Sequence, residues 1–150
     1  FVIDSGLAQI TVRGTRFVVN RLPDRLRVSV DHGLVEVASS RQPDEVWQVG
    51  AGQVVEVDGA GHLHRVDLAA SNALAFTRGN LVFENADLGE IAASLSRYRE
   101  RPVATQAAYP QPRISAVLQL SDVEDFIRAL PNIAPVRVSE GAQHTELRPR

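Results

Sequence analysis

The feature that most constrains this chain is a change of hydrophobic period inside the stretch NALAFTRGNLVFENADLGEIAASLSRY, from Asn72 to Tyr98. Before it, apolar and polar residues alternate in short β-branched runs cut by Gly-rich turns, the spacing of half-buried strands. After it, apolar residues recur every three or four positions, as on the buried stripe of a helix, with single strands framing each helix. One layer cannot serve both periods. The pattern therefore predicts two modules of mixed class, an all-β meander or sandwich followed by a small α+β module of two β-α-β units. The expected divisions are residues 1–66 for the β domain, 67–80 for a helical linker, 81–139 for the α+β module and 140–150 for a polar tail.

In the first half, residues 7–12, 16–21, 26–30 and 34–37 read as strands rich in Val, Ile and Thr. Arg25 to Val30 alternates strictly, which puts Leu26, Val28 and Val30 on one face. Asp31-His32-Gly33 reads as the turn of a three-residue hairpin. Gly50-Ala51-Gly52 and Asp58-Gly59-Ala60-Gly61 read as turns around strands at 53–57 and 62–66, and residues 41–45 as a surface loop. An Ala-rich segment from Asp67 to Phe76 is expected to be helical and to stop at Thr77-Arg78-Gly79.

The second half repeats a plan. Leu81-Val82-Phe83 is a strand, and Asp87-Leu88-Gly89-Glu90 is a capping box opening a helix whose stripe is Leu88, Ile91, Ala92, Leu95 and Tyr98. Pro102-Val103 leads into a second strand. After a Pro-rich loop from Tyr109 to Pro112 the sequence runs strand (114–118), capping box (Ser121-Asp122-Val123-Glu124), and a stripe of Val123, Phe126, Ile127 and Leu130. Pro131 is expected to stop that helix, and Pro135 to Val138 to form the exit strand. From Ser139 onward the chain reads as a frayed polar tail, with His144 to Leu147 at most adding an edge strand.

Composition excludes several functions. The net charge of −2 and pI near 6.1 give no electrostatic case for nucleic acid or an anionic membrane surface. All sixteen basic residues are Arg, a compositional bias that argues against reading single arginines as phosphate clamps. Cys is absent, so no disulfide, thiolate nucleophile or zinc ribbon can form. No apolar run approaches the ~18 residues of a membrane span. The chain opens on Phe1 and has no Met, so it reads as a fragment, and any membrane anchor or targeting segment would lie outside it.

The residues that could carry chemistry have plainer explanations. His62 and His64 are two apart on an expected strand and could share a metal with Asp58, Asp67 or Glu56, but the spacing matches no known site and exposed histidines commonly flank turns. Ser5, Ser29 and Ser39 lack a Gly-x-Ser-x-Gly setting and a partnered His. Asp122, Glu124 and Asp125 sit where a helix N-terminus favours carboxylates, and Arg97, Arg99 and Arg101 where a C-terminus favours cations. Trp47 reads as a packing anchor. No catalytic residue, cofactor or metal site is expected. A protein-binding receiver is the leading reading; a carbohydrate or small-ligand binding β domain resting on Trp47, and a hydrolase or metalloenzyme resting on His62 and His64, are the competitors.

Gly14-Thr15-Arg16-Phe17-Val18-Val19, the expected 26–37 hairpin with Gly33, and Ala51-Gly52-Gln53 resemble the FecR domain of bacterial anti-sigma regulators. Ala75-Phe76-x-x-Gly79-x-Leu81-Val82-Phe83, continuing to Leu95-x-x-Tyr98, is similar to the segment that follows it in that family. Residues 81–138 resemble the short module found at the N-termini of secretins and TonB-dependent receptors. Phe76 stands where the family usually has Trp. The resemblance implies a single-pass cytoplasmic-membrane protein that binds an extracytoplasmic-function sigma factor through a cytoplasmic segment outside this chain. Its periplasmic part, to which this chain would correspond, receives the signal of a TonB-dependent outer-membrane transducer in iron-siderophore uptake. A small module has too few strands to close its sheets, so an open edge is the expected docking site for the transducer's periplasmic signalling domain. The candidates are Ile114, Ser115, Ala116, Val117 and Leu118, together with Val136, Arg137 and Val138; the Arg97 to Arg101 end of the first helix is next.

Overall fold

The structure, a computed structural model, describes residues 2–106 and 111–150. It divides into two compact units, Phe1–Leu74 and Ala75–Arg150. Tyr109 and Pro110 of the expected Pro-rich loop lie outside the described residues.

The first unit is one six-stranded sheet of β1 (Val2–Asp4), β2 (Ala8–Arg21), β3 (Arg25–Ser39), β4 (Val46–Gly50), β5 (Val54–Asp58) and β6 (Leu63–Val66). The strand order is β1-β2-β3-β5-β6, all antiparallel, and β4 pairs with the far half of β3. Residues 25–29 of β3 pair with β5, whereas 34–38 pair with β4. The turn between β4 and β5 is tied to the middle of β3, because Val30 N–H donates to Gln53 O at 3.0 Å and Gly52 N–H to Val30 O at 2.8 Å.

Asp31-His32-Gly33 is not a hairpin. β3 runs through it and stays paired with β2, His32 lying opposite Arg16. The register shifts between Arg13 and Arg16 and shifts back before Phe17 pairs with Val30, so each strand spends one extra residue at the same place. Gly14 and Gly33 supply the positive φ that these bulges need, +53° and +89°. The extra residues flip the side-chain phase of both strands. Ile10 and Val12 before the bulge of β2, and Phe17 and Val19 after it, all reach the same core; in β3 so do Leu26, Val28 and Val30, then Val35 and Val37. The change of phase that imitates a turn in the sequence is a bend in a continuous ribbon.

A 3-10 helix, Ala70–Arg78, follows. The second unit contains β7 (Asn80–Ala86), α1 (Leu88–Ser96), β8 (Val103–Thr105), β9 (Ile114–Gln119), α2 (Val123–Ile133), β10 (Val136–Glu140) and β11 (Thr145–Pro149). β7 pairs antiparallel with β9; the other sheet has the order β10-β11-β8, with β11 antiparallel to β10 and parallel to β8. Leu88, Ile91 and Leu95 of α1, and Phe126, Ile127 and Leu130 of α2, share one core with Phe83, Ile114 and Leu118 of the first sheet and Val103, Val136 and Leu147 of the second. Phe83 stacks on Phe126 at 5.9 Å between ring centroids.

Three local expectations for this unit are corrected. The N-cap of the first box forms, Asp87 Oδ1 accepting from Glu90 N–H at 2.8 Å, but that of the second does not. The chain enters α2 through a 3-10 turn, Leu120–Asp122, which leaves Asp122 at φ −103°, ψ 14° rather than extended and without a capping bond. Pro131 does not end α2, which continues to Ile133. It withholds one N–H in the last turn, yet Ala134 N–H still donates to Leu130 O at 3.1 Å. Residues 140–150 are no frayed tail and no edge. β11 is the middle strand of its sheet with Thr145 and Leu147 fully buried, and burial of Leu147 contributes ~1.5–3 kcal/mol that a loose tail would forgo.

Candidate functional site

The residues singled out for docking lie on two sheets. Ile114, Ser115, Ala116, Val117 and Leu118 are in β9, whose neighbour is β7; Val136, Arg137 and Val138 are in β10, whose neighbour is β11. Each strand has its other edge without a paired strand among the described residues. The two edges belong to different sheets, so they do not join into one β surface.

The direction of the main-chain groups follows from the ladders. Leu120 N–H donates to Gly79 O at 2.8 Å, in the register that pairs Leu81 with Leu118 and Phe83 with Ala116. Antiparallel bonding alternates along a strand, so Ala116 and Leu118 turn their main-chain groups toward β7, while Ser115, Val117 and Gln119 turn theirs outward. The side chains of Ser115, Val117 and Gln119 also point away from the core and are exposed, Val117 to 73%. Gln119, missed in the sequence, completes this row and could have been found by extending the same alternation two positions past Val117.

The β10 edge is different in kind. Arg150 N–H donates to Pro135 O at 2.8 Å and Gly141 N–H to His144 O at 2.9 Å, which turns Arg137 and Ser139 toward β11 and Val136, Val138 and Glu140 outward. Val136 N–H is already committed to Ala134 O at 2.8 Å. Exposed Arg137 and Glu140 place charges along this edge, a common protection against strand addition. β9 has no charged residue between Arg113 and Asp122.

The arginines near the end of α1 are committed within the unit. Arg99, its side chain only 6% exposed, donates from Nε to Glu124 Oε1 at 2.7 Å and from Nη1 to Thr145 Oγ1 at 2.8 Å. Arg101 donates to Glu140 Oε2 at 2.8 Å and Gly141 O at 2.9 Å. These bonds tie the α1–β8 loop to α2, β10 and β11, and they explain Glu124 without acid–base chemistry.

His62 and His64 do not converge on one centre. His62 Nδ1 lies 3.5 Å from Asp58 Oδ2, and His64 Nε2 lies 3.4 Å from Glu56 Oε1. Glu56 is buried and also accepts from Arg27 Nε at 2.8 Å and Arg25 Nε at 3.2 Å. Two guanidinium groups on that carboxylate repel an added cation. No group of three or more His, Asp or Glu placed to hold a metal occurs among the described residues. Asp58 Oδ1 accepts from His62 N–H at 2.9 Å and Ala60 N–H at 3.0 Å, which holds its carboxyl below the usual range, the His62 bond contributing most. Trp47 is half-buried against the core of the first unit, its Nε1–H donates to Glu45 Oε1 at 3.0 Å, and the Arg65 guanidinium covers its ring at 5.4 Å. One face of that ring is thereby covered by Arg65.

No described protein family matches the chain, and no curated protein matches it in sequence. Among solved structures it is similar to two of a candidate anti-sigma factor from Parabacteroides distasonis, each with a TM-score of 0.82 at 19% identity. The matches cover 100% and 98% of this chain, and 71% and 70% of those chains. The chain therefore has an anti-sigma-factor-like fold, with a β-rich unit and a small α+β unit. No described helix is long and apolar enough to cross a membrane.

Proposed function

We propose that this chain is the periplasmic signal-receiving region of a FecR-type anti-sigma regulator, a non-enzymatic module that binds the periplasmic signalling domain of a TonB-dependent outer-membrane transducer. In this reading the regulator controls an extracytoplasmic-function sigma factor in iron-siderophore uptake, and its sigma-binding and membrane segments lie outside this chain. The observation that carries the reading is a fold match to a candidate anti-sigma factor that extends over both units. The FecR-like residues around Gly14, Gly33 and Gly52 support it, because each of these glycines holds a positive φ in the first unit.

The transducer adds a strand to the second unit, at the edge of β9 or of β10. Main-chain hydrogen bonds would supply affinity and the alternating side chains specificity. Titration calorimetry with the cognate transducer's signalling domain tests this. Ser115→Pro removes an outward N–H from β9, and Arg137→Glu reverses the charge beside the β10 edge. At least one of them should weaken binding about tenfold, or about 1.4 kcal/mol, with circular dichroism unchanged. Full affinity in both variants would move the docking surface away from the two edges, and no binding by the parent chain would remove the transducer reading.

A further inference from the structure

We draw no further inference here: the strongest candidate, the outer face of the β10-β11-β8 sheet where exposed Arg137 and Arg148 stand directly opposite each other, carries nothing, because Arg148 is held by Glu146 of its own strand and nothing in the structure shows what covers the rest of that face.

Discussion

Asp58 shows how one side chain can close a turn. Its Oδ1 takes the N–H groups of Ala60 and His62, and its Oδ2 faces the His62 ring. These bonds favour the carboxylate, so its pKa in the fold lies below the 3.8 of a free Asp, chiefly through the His62 N–H. A group with a depressed folded pKa stabilises the fold above its unfolded pKa and loses that contribution as pH falls through the folded value. Asp58→Ala is therefore expected to unfold at lower urea than the parent at neutral pH, with the gap closing as both are titrated into acid. A gap that stays constant across the acid range would show that the carboxylate charge plays no part in the turn. Glu56 works differently. It sits opposite Arg27 on β3 and His64 on β6 in the strand register, and its burial is tolerable because Arg25 and Arg27 neutralise it. The alternation of Arg25 and Arg27 with Leu26 and Val28, and the two-residue spacing of His62 and His64, were legible; that these side chains meet Glu56 across three strands was not, because the register joins residues far apart in the chain.

At the scale of the element, the paired bulges in β2 and β3 decide the first unit. An ideal strand pair of this length would carry half its apolar residues to the wrong side once the phase changes. One extra residue in each strand corrects the phase in both and restores the register. Gly33 is the tighter position. With φ at +89°, a Cβ there would lie 2.8 Å from Thr15 Oγ1 and 3.0 Å from Thr15 Cα, whereas a Cβ at Gly14 meets nothing within 4 Å. Gly33→Ala should cost more than the ~1 kcal/mol expected of Gly14→Ala from backbone strain alone, seen as a larger fall in the urea midpoint. Equal losses would mean that the bulge relaxes freely. The sequence shows the phase change plainly, but a turn and a double bulge produce the same local pattern, and only the partner strand tells them apart. The helices of the second unit were easier to read. The apolar stripes of α1 and α2 are buried, except that Tyr98 lies beyond the end of α1 and is exposed, and Glu90, off the stripe, is buried as well.

For the whole molecule, the change of hydrophobic period corresponds to two units that each hold a separate core. We expect the joint to lie within residues 67–80, where Phe76, Thr77, Arg78 and Gly79 are all exposed. Limited proteolysis should leave stable fragments that end or begin in that interval. First cuts within residues 8–39 would count against it, because those residues form the central ribbon of the first sheet.

Spacing by itself determined the class of each half, the two helices with their buried stripes, and the run of exposed and buried positions in β9. These are local properties, set by which neighbours two, three or four residues apart share a face. Only the tertiary structure decided which strands meet. Thr145-Glu146-Leu147-Arg148-Pro149 offers one large apolar side chain, too little to mark a core strand, yet it fills the gap between β8 and β10 that no earlier segment occupies. The same choice leaves β9 with one neighbouring strand among the described residues. Strand pairing is settled by which edges remain once every apolar face is covered, a competition across the whole unit that no window of the sequence contains.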